Sequence, residues 1–443
     1  MPQIALVPLT GFRLREPQMA ELGMSLPGLR RRAKALGELP ALGLLTLAGL
    51  TPEPWTCSYH PLASEERLDG LVEQIAAERP ALVALSALTA SAPLAYRAAA
   101  QFRSRGIPTV LGGLHATACP DEATRHCDAV VVGPGEPIWR ALLADTERGE
   151  LRSKYVAADR GRAQAFEWPA PRFDLLGQTP PRFTLQTQRG CPLACEFCGA
   201  SRLLGAFREK PTANVRRELQ AIAAIDPEPV IELADDNTFA GSRDAGELLD
   251  TLAAVNARYF TEADWRLGER GDVLPGLASS GCVQVLVGIE SLVFRFPGMG
   301  AKRAELDRMM DAVAAIQESG VVVSGCFILG ADGETPQSID RLVEFVLRSP
   351  LAEVQLTLAT PFPGTAYYER LRRAGRLLLD RGWESYTLLD ATFEPDQMTA
   401  AELEREFRRA VTAVFSPTAS ARRAELRRRI WRSNPRLRGA TSK

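Results

Sequence analysis

Three cysteines spaced CxxxCxxC carry the plainest chemical potential in this sequence: Cys191-Pro-Leu-Ala-Cys195-Glu-Phe-Cys198. Iron–sulfur clusters are held by cysteine thiolates, and three thiolates on one short loop can hold three irons of a cubane. No fourth cysteine stands nearby, so one iron would remain open to bind a substrate or cofactor directly. Zinc is the competing reading. Closed structural zinc takes four Cys/His ligands, commonly from two paired hooks, and the sequence has no partner hook. Cys57, Cys119, Cys127, Cys282 and Cys326 are scattered, and the last two stand in apolar runs that suit small buried thiols. Only His60, His115 and His126 supply imidazoles, which disfavours chemistry needing several of them.

These residues need a scaffold, and the chain is long enough to build one. Its 443 residues suggest two or three domains. With 53 basic and 54 acidic residues, 46% apolar and 24% charged, the composition is that of a globular protein. It excludes whole-chain disorder, a collagen-like fibre and a disulfide mini-scaffold. The balanced charge gives no reason to expect a nucleic-acid partner. No stretch reaches the roughly 18 uninterrupted apolar residues of a membrane span, and the N-terminus lacks the pattern of a signal peptide. A cytoplasmic protein is expected.

Strand-like runs at 3–9, 81–87, 107–113 and 128–133 alternate with helical patterns at 65–78, 94–105 and 137–148, and residues 40–50 carry Leu and Ala at helical spacing. Such alternation predicts parallel βαβ units in a doubly wound, Rossmann-like α/β sheet over residues 1–150. Ligands of such sheets sit at the carboxyl ends of the strands, where Ser86, Gly112, Gly113 and Gly133 fall. The periodicity dissolves in a proline-containing stretch, which predicts a linker over 151–181. A second series then offers strands at 182–188, 230–235, 261–267, 283–291, 321–330 and 353–361, predicting a partial (βα)6 barrel over 182–370. A helical extension (371–415) and a basic tail (416–443) follow. The tail holds nine basic residues against one acid.

The cysteine loop has an aromatic residue, Phe197, before its third cysteine and follows TQRG at the first strand of the second series. It resembles the radical S-adenosylmethionine superfamily. The resemblance implies a [4Fe-4S] cluster on Cys191, Cys195 and Cys198 whose open iron chelates S-adenosylmethionine (SAM), with Phe197 at the cofactor. Further matches follow in family order. LADDNTF (233–239), with Asp235 and Asp236, ends the second strand, where the superfamily contacts the methionyl group. VGIES (287–291) ends the fourth, with Glu290 where a polar side chain meets the cofactor. GCFILGADGET (325–335), with Gly330, and TPFPGT (360–365) look like the fifth and sixth signatures. Their glycines would let backbone approach the adenosine. Plainer readings stand beside these. Asp235 and Asp236 equally suit loop caps, and Arg266 suits a structural ion pair. Glu290, flanked by VLVGI, would be costly to bury without a partner and is read as a ligand contact.

The first half resembles the cobalamin-binding domain fused to one large branch of radical enzymes, through residues 79–91, PTVLGGLHATACPDEA (108–123) and CDAVVVGPGEP (127–137). The resemblance implies corrinoid contacts at Ser86, Gly112, Gly113, Gly133 and Gly135. Pro134 departs from that branch's pattern, which usually has an acidic residue there. No D-x-H-x-x-G motif is present, so His115 is read as a polar loop histidine rather than an axial ligand of cobalt. The three N-terminal cysteines do not resemble the second-cluster pattern of methylthiotransferases.

These resemblances imply a cobalamin-dependent radical SAM enzyme. SAM would be cleaved reductively to a 5′-deoxyadenosyl radical, and an unactivated carbon of a small-molecule or lipid-like substrate methylated. An electron donor of the flavodoxin or ferredoxin type would serve the cluster. The alternatives are a non-methylating rearrangement or cyclisation, and a binding module that has lost its corrinoid. In the tail, Leu426, Ile430 and Trp431 among arginines suit either weak contact with an anionic membrane surface or a terminal helix packed on its own domain.

Overall fold

Runs such as LVALS and AVVV are apolar on both faces, the mark of a parallel strand covered on two sides. In the computed structural model, which describes residues 1–9, 39–157 and 167–437, they lie inside a six-stranded, all-parallel sheet. Its strands are β1 (Gln3–Pro8), β2 (Thr56–Tyr59), β3 (Leu82–Ser86), β4 (Thr109–Gly112), β5 (Ala129–Val132) and β6 (Lys154–Val156), in the order β2-β1-β3-β4-β5-β6. The order reverses between β1 and β3, a topological switch point. The connecting helices are α1 (Leu42–Leu50), α2 (Leu68–Glu78), α3 (Ala92–Arg103), α4 (Leu114–Ala118), α5 (Pro120–Ala123) and α6 (Trp139–Arg148). Val72 and Ile75 of α2 and Leu94 and Phe102 of α3 fill one apolar layer. Leu44 and Ala48 of α1 and Leu142 and Leu143 of α6 fill the other. The sheet is therefore doubly wound, as expected.

The second sheet is also all-parallel and runs in sequence order: β7 (Phe183–Leu185), β10 (Val230–Leu233), β11 (Arg258–Ala263), β12 (Cys282–Glu290), β13 (Val322–Leu329) and β14 (Glu353–Leu358). Sequential order is that of a barrel, here open with β7 and β14 as its edges. A two-stranded ladder, β8 (Gln188–Arg189) with β9 (Arg208–Glu209), follows β7 and carries the chain into and out of the cysteine loop. Besides a single turn at Leu274–Leu277, the helices of this half are α7 (Ala200–Leu203), α8 (Thr212–Ile225), α9 (Ala245–Ala253), α10 (Leu306–Glu318), α11 (Pro336–Arg348), α12 (Ala366–Arg373), α13 (Ala400–Val414) and α14 (Pro417–Ser433). Val285, Val287, Val323 and Leu356 join residues of α8, α9, α10, α11 and α13 in one large core.

Three expectations shift. The third barrel strand ends at Ala263 rather than Leu267, because Asp264 caps a 3-10 turn over Trp265–Glu269 and Trp265 turns inward to donate to the Lys302 carbonyl. β2 escaped notice because it is a half-exposed edge strand. The stretch read as a linker contains β6 and a turn whose Phe173 packs edge-on against Phe183.

Candidate functional site

The cysteine loop is held from three sides. Gly190, at φ +74°, turns the chain out of β8. The next residues lie along a second loop: the Ala194 amide donates to the Gly298 carbonyl (3.2 Å) and the Glu196 amide to that of Pro297 (2.9 Å). Gly298 is at φ +82°, and a Cβ there would run into the Ala194 carbonyl. Phe197 meets Phe296 edge-on at 4.8 Å. Glu196 is buried and takes both arms of Arg370 (2.9 and 3.2 Å), which also pairs with Asp332. Asp332 in turn takes Arg376 (2.9 Å).

The three cysteine thiols lie within each other's electrostatic reach. Burial pushes Cys195 up to about 11; the Lys302 ammonium opposes this, while Glu290, Cys198 and Cys191 add to it. Burial likewise raises Cys191. Among the described residues no three Cys, His, Asp or Glu side chains are gathered around a point that one metal ion could occupy. Three thiolates on one loop suit a cluster, in which each meets a different iron.

The structure separates the neighbouring aspartates. Asp235 is fully engaged, accepting from the Thr187 amide (2.7 Å) and hydroxyl, the Gln188 amide (3.1 Å) and the Thr238 hydroxyl (2.9 Å). It is a brace between β10 and the cysteine loop's entry. Asp236 has a buried carboxylate oxygen, Oδ2, with no partner, and lies within the field of Cys191. Burial, then the charge of Asp235, pushes it up to about 6. An orphaned acceptor beside the cysteines suits a donor on a bound cofactor, such as an amine.

Glu290 is buried at φ +71° and its carboxylate is paired with the Lys302 ammonium. The partner that burial demands is therefore within the chain, on a loop that carries no motif. Burial opposes the charge on Lys302, but Glu290 outweighs it and holds the amine above its usual range. Gly330, at φ +89°, donates to Glu334 (2.8 Å), and Leu403 occupies the space a Cβ would need. Helix packing accounts for this glycine. Glu334, pushed up to about 7 by burial, also accepts from Ser291 (2.6 Å) and ties the end of β12 to that of β13. Arg266 pairs with Asp264 (2.7 Å), and Asn237 donates to the same carboxylate (2.8 Å).

On the first sheet, Ser86, Gly112, Gly113 and Gly133 do cluster at the carboxyl ends of β3, β4 and β5. Gly113 is at φ +99°, and a Cβ would press on the Ala87 carbonyl. Gly133, at φ +83°, donates to the Thr117 hydroxyl (3.0 Å). Gly135 instead packs against Leu47 of α1. The bare backbone of Gly112 and Gly113 fits the close approach of an amide- and phosphate-bearing cofactor. His115 is completely buried; its Nε2 meets the Tyr96 hydroxyl (2.9 Å) and its ring meets Trp383 edge-on. Its Nδ1 is buried with no partner among the described residues. Reading the sequence for motifs missed Lys302, Glu334 and the ion pair between Glu136 and Arg189 (2.6 Å), which joins the two halves.

A family model described as the B12 binding domain matches residues 31–143, and one for the radical SAM superfamily matches residues 185–346. The chain is 25% identical over 360 residues to bacteriochlorophyllide d C-12(1)-methyltransferase of Chlorobaculum tepidum, covering 79% of this chain and 78% of that one. It is 26% identical over 305 residues to the hopanoid C-2 methylase of Rhodopseudomonas palustris, covering 66% and 57%. The structure of the cobalamin-dependent SAM radical enzyme OxsB, with aqua-cobalamin and SAM bound, shares its fold at a TM-score of 0.67 and 13% identity, over 98% of this chain and 72% of that one. The matched domains stand in the order in which the two sheets and their loops were found, and the chain belongs to the radical SAM enzymes that carry a B12-binding domain.

Proposed function

We propose that this chain is a cobalamin-dependent radical SAM C-methyltransferase acting on a small molecule. The observation that carries the reading is that the carboxyl-end loops of both sheets meet. Glu136, in the loop after β5, pairs with Arg189, which leads into Cys191. Cys191, Cys195 and Cys198 would hold the cluster, and the unpartnered Asp236 Oδ2 would be available to accept from the SAM amine. The Glu290–Lys302 pair sets the charge beside Cys195. Ser86, Gly112, Gly113 and Gly133, at the carboxyl ends of β3, β4 and β5, would receive the corrinoid on backbone that carries no bulky side chain. When bound, the cofactors supply radical cleavage of SAM and a transferable methyl group, and the protein orients them and keeps out water. A lipid-like substrate is supported by the likeness to a hopanoid methylase, and an external flavodoxin or ferredoxin supplies the electron.

Anaerobic reconstitution tests this. The wild type should take up about four irons and four sulfides per chain together with base-off corrinoid. The Cys191→Ala, Cys195→Ala, Cys198→Ala variant should lose the cluster absorbance and SAM cleavage; retention of both sinks the site assignment. A product one methyl heavier supports methylation, an unchanged mass assigns rearrangement or cyclisation, and failure to bind corrinoid leaves a module without its cofactor.

A further inference from the structure

Contacts that cross between the two halves fall into two kinds. The Thr184 hydroxyl donates to the Pro40 carbonyl (2.8 Å), the Arg172 amide to that of Leu45 (3.0 Å), and the Trp383 indole to Glu122 (2.9 and 3.0 Å). None of these three lies in the Gly133–Glu136 loop or the cysteine loop. The Glu136–Arg189 pair belongs to both. Its N···O distance is 2.6 Å, its side chains are only 8% and 14% exposed, and its partners are 53 residues apart in sequence.

Both ends of the pair are anchored. Arg189 sits in the β8–β9 ladder opposite Arg208, its Nε donates to Gln186 (3.3 Å), and its guanidinium lies 5.6 Å from the centre of the Trp168 ring. Trp168 is fastened in turn, its carbonyl accepting from Asn214 and Arg217 (both 3.1 Å). Next to Glu136, Gly135 is pressed against Leu47, and its carbonyl accepts the Ile138 and Trp139 amides that open α6. A buried charge separated from its partner is strongly disfavoured, so drawing the two loops apart breaks a desolvated ion pair.

We infer that the Glu136–Arg189 pair is a positioning contact that fixes the separation of the corrinoid-facing loop from the cluster loop. This rests on the function proposed above. A radical made at one cofactor and a methyl group carried by the other must reach the same carbon, and misplacement by about 1 Å can cost about a hundredfold in rate. The pair joins the two loops directly, whereas the three hydrogen bonds named above lie outside both.

The test reads the distance between cofactors without turnover. In the reconstituted full chain, the Co(II) corrinoid signal relaxes faster when the cluster is reduced and paramagnetic than when it is oxidised, and the enhancement falls steeply with separation. Glu136→Gln and Arg189→Gln should keep wild-type iron and corrinoid contents yet show a several-fold weaker enhancement. The reversed pair, Glu136→Arg with Arg189→Glu, should recover most of it, which loss of local stability alone would not predict. Single variants with the wild-type enhancement overturn the inference, and so does a reversed pair as weak as the singles. Should a Gln variant fail to load both cofactors, Arg189→Lys, which keeps the charge but not the planar fork, takes its place under the same two outcomes. A wild type that loads no cluster or no corrinoid overturns the proposed function and this inference with it. A loaded wild type with unaffected variants overturns this inference alone.

Discussion

Asp235 and Asp236 are adjacent in sequence and differ entirely in what they do. Asp235 satisfies four donors inside the protein, so Asp235→Ala would leave buried groups without partners at about 1–3 kcal/mol each. Thermal unfolding should show a loss of on the order of 3 kcal/mol or more. Asp236 satisfies none of them with its Oδ2. Asp236→Asn should therefore hold the melting temperature and weaken SAM binding, measured by equilibrium dialysis on the reconstituted protein. An unchanged affinity would make Asp236 a bystander. Glu334 gives a pH signature. Its carboxyl is raised from 4.5 to about 7 by burial, so the folded state holds the proton more tightly than the unfolded chain. The penalty is absent below pH 4.5, grows as pH rises towards 7 and is complete above it, on the order of 3 kcal/mol. Between pH 5 and 8 the wild type should lose stability relative to Glu334→Gln, and parallel stability curves would refute the shift.

The elements explain why the arginine-rich tail lies where it does. Helix α14 turns Ile430, Leu426 and Trp431 onto Val322 and Ala352 at the amino ends of the barrel strands, and the Trp431 indole donates to the Val283 carbonyl (3.0 Å). The apolar strip that could have met a membrane is thus covered by the barrel. Asn434 is completely buried beyond the helix and donates to the carbonyls of Cys282 (2.8 Å) and Gly320 (3.0 Å). Asn434→Ala should destabilise by about 1–3 kcal/mol, since two buried acceptors lose their donor. A chain ended at Phe415 should lose more, as Ile430 alone contributes about 1.5–3 kcal/mol of burial. Denaturant titration checks both, and equal stability of all three proteins would detach α14 from the barrel's energetics.

Across the whole molecule, the Trp383 indole reaches from the C-terminal extension to Glu122, which also accepts from Tyr96 (3.1 Å). Hydrogen bonds to a charged group are worth about 1.5–3 kcal/mol. Trp383→Phe keeps an aromatic ring beside His115 and removes the donor together with part of the indole. Calorimetry should then show unfolding of the first half moving to lower temperature and separating from that of the barrel; one unchanged, merged transition would mean the halves are held elsewhere. No described helix is long and apolar enough to cross a membrane.

The parallel strands and the cysteine loop were legible because their signals are local. Strand–helix alternation, glycines after strands and CxxxCxxC each occupy a few consecutive residues, and the physics that reads them acts over the same range. The sequence alone therefore determined the class of both sheets, the order of the domains and the position of the cluster loop. Tertiary structure decided everything that depends on a partner distant in the chain. Glu290 and Lys302 are twelve residues apart with no motif between them, and Glu136 and Arg189 are 53 apart. Asp235 and Asp236 are the same residue type in the same turn, and only the surrounding donors make one a brace and leave the other with an oxygen unpartnered. Burial, which turns a carboxylate or an arginine tail from a solvated group into a structural commitment, is a property of the packed chain and is written in no short stretch of it.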